Sequence, residues 1–269
     1  MKYKSLRIGD IQTSDVLYYD KEYAEMCFCF CKERDIDCLP SLIDPNKIHV
    51  RDEKDRKFSD ELVKSGRKVD ASEYIFSSWL VGKFTEKRLL LVCESSELVG
   101  VVHFSDYAKP AVSIYLYEIL FAYENALRKL LERKGYTNES MVEYFQQKIA
   151  DSTGEDRDFY QDKVTGYYDR QAKNSKLPRF HSFYLSDLVE FAVDKGINIK
   201  SEGVIGLRNS IMHAHELVNK KDPNASNLIY DIDSFSKFFK SASRLLTDFK
   251  RVNNLLLLLD ASPPCLEPS

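Results

Sequence analysis

Arg208-Asn209-Ser210-Ile211-Met212-His213 holds the three side chains of this sequence whose types and spacing best suit work on a phosphodiester. An imidazole titrates near neutral pH and can take the proton of an RNA 2′-hydroxyl. A guanidinium fork matches phosphate oxygens and stabilises the charge that builds on them. Asn209 sits one helical turn before His213 and can orient its ring. Arg208 and His213 are about 140° apart on an ideal helix, so one chain aligns them poorly. Two copies facing each other across a two-fold axis remove the difficulty, because Arg208 of one approaches His213 of the other. The surrounding segment, Val204 to Val218, has a core stripe at Leu207, Ile211, Ala214 and Val218. Asn209, His213 and Glu216 lie opposite that stripe, bordered by Arg208 and Met212, which implies a partner surface. The plainer alternative makes Arg208 and His213 polar surface residues of an interaction helix.

Arginine, a polar neighbour and a histidine within an all-helical region resemble the HEPN family, whose nuclease members carry R-x4–6-H. The resemblance covers roughly Ala111 to Asp260. It implies a metal-independent endoribonuclease with a composite dimer cleft, RNA as substrate and products ending in a 2′,3′-cyclic phosphate. His215 also satisfies the family's looser spacing; His213 is preferred because Asn209 precedes it by one turn. An acidic residue on the first bundle helix often supports the site in this family, and Glu124 is the candidate here. Its other reading is an i,i+4 ion pair with Arg128.

A second constellation is Gly100-Val101-Val102-His103-Phe104-Ser105-Asp106. A strand with a glycine runs into a hydroxyl residue and a carboxylate at a helix start, where free N–H groups suit phosphate and a carboxylate suits ribose hydroxyls. The order helix, strand, turn, strand, Ser-Asp resembles the CBS domain, and its doubling over residues 1–110 resembles a partly degenerate tandem pair. The resemblance implies Ser105 and Asp106 as ligands of an adenine nucleotide. His103 stands where the family usually has threonine or serine, and the first unit, ending Lys47 to Asp52, lacks both the glycine and the Ser-Asp pair. The alternative is that Ser105 or Asp106 only caps the helix.

Two kinds of element must hold these groups. From Ile8 to about Pro110, short apolar runs alternate with helical patterns. Strands are expected at Val16 to Tyr19, Leu39 to Ile43, Leu89 to Cys93 and Leu98 to His103, with a polar turn at Glu94 to Glu97. Helices are expected from Tyr23 to Cys31 and from about Ala71 to Phe84. The charge-dense stretch Asp52 to Lys68 reads as a solvated connector or an exposed helix.

After Pro110 the pattern is helical only. Val112, Leu116, Ile119, Leu120, Tyr123, Leu127, Leu130 and Leu131 form one stripe, ended by Gly135. Asn138 is placed to cap a second helix and Ser186 another that closes at Gly196. Residues 154–176 interleave Phe159, Tyr160, Tyr167 and Tyr168 with Arg157, Lys163, Arg170 and Lys173. Such a segment can stack a single RNA strand, but the favoured reading is a solvated helix laying its tyrosines on a neighbour. A last helix runs from about Asp233 to Asp260 in a 3-4 alternation. The expected fold is therefore α+β in two domains: 1–110, an α/β CBS-like pair, and 111–269, a HEPN-like helical bundle.

With 30% charged residues and a net charge of −3, the chain is not broadly basic, so any nucleic-acid contact must be a local groove. The longest apolar run, Leu255 to Leu259, is too short for a membrane span, and Met1-Lys2-Tyr3-Lys4 has no signal core behind it, so a cytoplasmic location without membrane contact is expected. Cys27, Cys29 and Cys31 alternate, no C-x-x-C occurs, and no metal site is expected. Taken together, a homodimeric ribonuclease gated by an adenine-nucleotide sensor is expected, a stress or antiviral defence effector needing no cofactor for catalysis. The other class is a non-catalytic nucleotide-sensing or RNA-binding dimeric adaptor.

Overall fold

The computed structural model describes residues 5–174, 176–200, 203–212, 217–222 and 229–261. They form a mixed α+β protein with two small sheets and a helical C-terminal region. By contacts the chain divides into two compact units. The first is Met1–Tyr117 with Asn209–Ser243, the second Glu118–Arg208 with Arg244–Ser269.

In the first unit the short helix α1 (Ile8–Ile11) precedes α2 (Ala24–Glu33), β1 (Cys38–Pro40), β2 (Lys47–Asp52) and β3 (Lys57–Leu62). These strands form an antiparallel sheet in the order β1-β2-β3. The pattern then continues with β4 (Lys68–Asp70), α3 (Trp79–Glu86), β5 (Leu89–Glu94) and β6 (Glu97–His103). Here β4 pairs parallel with β5 across the α3 crossover, and β5 pairs antiparallel with β6. Leu89 to Val92 are all buried, as the apolar run requires of a central strand. The two sheets share a core in which Cys38 and Ile48 pack with Leu89 and Leu91.

Three expectations need correcting. Val16 to Tyr19 is not a strand; it contributes only a parallel bridge from Tyr19 to Ser41. Asp52 to Lys68 is not one connector or exposed helix, although Ser65–Arg67 form a short 3-10 turn. It carries edge strand β3, whose side chains are nearly all exposed, so charge on both faces costs little and the alternation signal is lost. Arg67, inside that stretch, is buried and donates to Asp37 at 2.8 and 3.0 Å and to the Cys38 sulfur at 3.1 Å. Finally, α3 begins at Trp79 rather than near Ala71; residues 71–78 are turns.

α4 (Pro110–Arg133), α5 (Asn138–Asp151), α6 (Gly154–Lys173), α7 (Leu185–Asp194), α8 (Val204–Met212) and α9 (Ile232–Ala261) complete the described elements. Gly135 and Gly196 take positive φ (82° and 73°) just past α4 and α7, the conformation that ends a helix most cheaply at glycine. Two caps sit one or two residues earlier than expected. Thr137, not Asn138, accepts from Ser140 N at the start of α5, leaving Asn138 Oδ1 to accept from Phe180 N at 2.8 Å. Tyr184, not Ser186, is the N-cap of α7, and its N–H is accepted by Asp187.

The first residues of α9 belong to the N-terminal unit. Phe235 packs against Tyr107, Phe84 and Phe104 at ring distances of 5.1, 5.6 and 5.6 Å. In the second unit, Tyr167 of α6 stacks on Phe183 at 5.0 Å and Tyr160 donates to Glu190 at 3.1 Å, so two of the four α6 aromatics lie on neighbours. Phe159 and Tyr168 remain exposed.

A candidate ligand cavity in the N-terminal unit

β6 delivers the 100–109 segment, and one backbone approach makes this possible. A side chain on Gly100 would sit 2.9 Å from the Thr13 carbonyl oxygen and 2.8 Å from the Gln12 side chain. With no Cβ there, Thr13 and Val101 exchange both backbone hydrogen bonds, at 2.8 and 3.0 Å, and residues 12–13 lie beside the strand.

After β6 the chain turns through a short 3-10 helix, Phe104–Ala108. His103 is its N-cap. The Asp106 carboxylate accepts the His103 N–H at 2.7 Å, and the His103 Nδ1 accepts the Ser105 N–H at 3.2 Å with the Ser105 hydroxyl at 2.8 Å. Nδ1 is thus an acceptor, which leaves the proton on Nε2; that atom is buried and has no partner among the described residues. Burial, with the nearby Arg88 charge, pushes the His103 imidazole down to about 3. The ring is neutral at any ordinary pH.

Asp106 has a second employment. Its other oxygen meets the Lys109 ammonium at 2.9 Å, and Lys109 also donates to the Ile11 and Gln12 carbonyls at 2.5 and 3.1 Å. One lysine therefore ties residues 11–13 to the turn. Burial raises the Asp106 carboxyl above its usual range, and Lys109 opposes that rise.

A cavity of about 390 Å³ opens over this construction, a size ordinary for a small-molecule site. Ser105 and Asp106, the two residues singled out for nucleotide binding, both line it. Thr13, Asp15, His103 and Tyr230 add polar groups, and Phe30, Ile36, Leu39 and Leu89 are among its apolar walls. Arg34 completes it, with its guanidinium carbon 4.1 Å above the Phe30 ring. Thr13, Asp15, Arg34 and Tyr230 were not anticipated from sequence. They come to Asp106 through sheet pairing and a distant segment, and no local spacing announces them. Lys109, three residues from Asp106, was visible as an i,i+3 opposite charge.

The other expected site residues lie elsewhere. Glu124 on α4 is bonded to Arg128, which also reaches the carbonyls of Phe180 and Phe183 at 3.4 and 3.5 Å. Glu124 therefore holds the arginine that holds the turn before α7. Arg208 and Asn209 are on α8, Arg208 half-buried and Asn209 exposed, each with interactions of its own. Of the expected stripe, Leu207 is buried and Ile211 half-buried on α8, Val218 is buried but lies in a bend and not on the helix, and Ala214 lies outside the described residues. His213, His215 and Glu216 lie outside the described residues.

Cys27 and Cys31 pack with Leu39 in an apolar cluster while Cys29 is exposed. Burial raises the Cys31 thiol to about 12, so it behaves as a small apolar side chain. Among the described residues, no helix is long and apolar enough to cross a membrane. No family model, curated protein or solved structure matches the chain.

Proposed function

We propose that the protein is a homodimeric, metal-independent endoribonuclease gated by a nucleotide bound in the N-terminal cavity. The sensing half of this reading is supported by the cavity itself; the cleavage half rests on the resemblance carried by Arg208 to His213. The cavity gathers Ser105, Asp106, Thr13 and Arg34 around apolar walls inside one compact unit. Such a concave, mostly apolar site with a few convergent polar groups is the ordinary form of a small-molecule site. An adenine nucleotide is the first ligand to test, through the resemblance to CBS domains.

Cleavage is proposed from Arg208, Asn209 and His213, with α8 carrying the first two. The His213 imidazole takes the 2′-hydroxyl proton, the 2′-oxygen bonds to phosphorus, and the P–O5′ bond breaks. The 5′-oxygen takes a proton from water, the imidazolium gives its proton back to the solvent, and a 2′,3′-cyclic phosphate remains; the Arg208 guanidinium carries the charge on the phosphate oxygens. RNA incubated with the protein and excess chelator tests this reading. Cleavage that disappears in Arg208→Ala and in His213→Ala, with folding intact, is the expected result. Cleavage retained in both variants discards the site.

A second reading, the non-catalytic dimeric adaptor, has its own support. Glu124 and Asp106 each have a structural partner, Arg128 and Lys109, that explains them without a ligand. Under that reading the protein leaves RNA intact, and Glu124→Gln lowers only stability.

A further inference from the structure

We infer that the cavity of the N-terminal unit takes a nucleoside or nucleoside monophosphate and discriminates against polyphosphates, with Arg34 as the residue that meets the single phosphate. This rests on the reading of that cavity as the sensor site and narrows its ligand.

The argument is a census of charge. Among the described residues that line the cavity, Arg34 is the only cation, against the carboxylates of Asp15 and Asp106. Two cations close by are already held: Lys109 by Asp106 at 2.9 Å, and Arg88 by Asp35 at 2.8 Å; Lys220, bridged to Tyr230, does not line the cavity. His103 adds no charge, because its ring is neutral.

At the turn itself, two backbone donors are already taken. Main-chain N–H groups at a turn are the usual substitute for cations around a phosphate chain. Here the N–H of His103 is taken by Asp106 and that of Ser105 by the His103 ring. A triphosphate would place three or more negative charges beside two carboxylates with one guanidinium to meet them, and like charges at contact distance are unfavourable even in water. One phosphate is different. Arg34 is half-buried, its plane is supported by Phe30, and its bond to the exposed Glu33 at 3.4 Å is weak enough to yield. The apolar walls then receive the base, and Asp106, Ser105 and Thr13 face the sugar hydroxyls.

Calorimetric titration of the full chain with adenosine, AMP and ATP, without magnesium and at fixed ionic strength, tests the inference. AMP should bind tightest and ATP at least about ten-fold more weakly. Arg34→Gln should bring AMP down to the affinity of adenosine and leave adenosine unchanged. Asp15→Asn, at an exposed rim position, should narrow the gap between ATP and AMP. ATP binding as tightly as AMP in the unaltered protein overturns the inference, and so does an Arg34→Gln variant that weakens adenosine and AMP equally. Either of those results leaves the cavity a nucleotide site. A flat titration with all three ligands is a different failure and removes the sensor reading itself.

Discussion

His103 shows how one side chain sets a constraint on the whole unit. Its folded-state pKa, about 3, lies below the ordinary 6.5, because burial disfavours the charged ring and Arg88 adds repulsion. The folded state therefore binds fewer protons than the unfolded chain. The stability this contributes is complete above pH 6.5 and is lost as pH falls from 6.5 toward 3, with a limiting slope of about 1.4 kcal/mol per pH unit. Asp106 has the opposite sign, since burial raises its carboxyl and acid relieves that penalty. A His103→Gln variant removes only the first effect. Urea unfolding at pH 6.5 and pH 5 should show the unaltered protein losing about 2 kcal/mol more than the variant. Equal losses would mean the ring is not neutral in the folded state. The same strand offers a steric test at Gly100. Gly100→Ala drives a methyl into the Thr13 carbonyl. It should cost about 1–3 kcal/mol and weaken AMP binding, because Thr13 is a cavity wall. An unchanged melting temperature would show that residues 12–13 give way freely.

At the scale of elements, the β5–β6 hairpin carries an uncorrected strain. Its two-residue turn, Ser95-Ser96, has φ of 48° and 76°, the left-handed pair that a type I′ turn demands and that asparagine and glycine adopt more cheaply. Ser95→Asn with Ser96→Gly should raise stability by about 1 kcal/mol, read as a higher melting temperature with ligand affinity unchanged. A lower melting temperature would contradict the turn assignment. That hairpin was legible in advance: Leu89 to Cys93 is an apolar run of strand length, and Glu94 to Glu97 is polar. The stripe from Val112 to Leu131 was legible for the same reason, since a 3.6-residue period survives even where side chains are mixed. Strand β3 was not, because an exposed edge imposes no alternation on Lys57 to Leu62. The caps at Thr137 and Tyr184 were missed by one or two residues, since cap chemistry is shared by neighbouring polar side chains. Periodicity also names the buried face of a helix without naming its partner, so the 3-4 alternation of the last helix did not tell that Phe235 packs beside Tyr107. In the cavity, Ser105 and Asp106 were readable from a strand-to-turn pattern. Arg34 and Thr13 reach them only through tertiary pairing.

For the molecule as a whole, the decisive matter is whether the proposed cleft needs two chains. α8 carries Arg208, and an ideal helix continued to position 213 would set the two residues about 140° apart. On that ideal geometry one copy would align them poorly, and the proposed two-fold pair would bring Arg208 of each chain to His213 of the other. This gives a prediction that depends on stoichiometry and not on the strength of any one contact. Arg208→Ala alone and His213→Ala alone should each be inactive on RNA, since every cleft lacks one group. When the two variants are mixed and allowed to exchange subunits, half of the dimers are mixed. Each mixed dimer has one intact cleft, with arginine from the His213→Ala chain and histidine from the Arg208→Ala chain. Activity should return to about one quarter of that of the unaltered protein at the same total concentration. Adding AMP during the assay should change that fraction and the unaltered rate by the same factor, because the sensor cavity is intact in both variants. If mixing restores nothing while the unaltered protein cleaves RNA, both groups act within one chain and the two-fold cleft is wrong. If recovery follows the slow time course of subunit exchange, the cleft is shared between two chains.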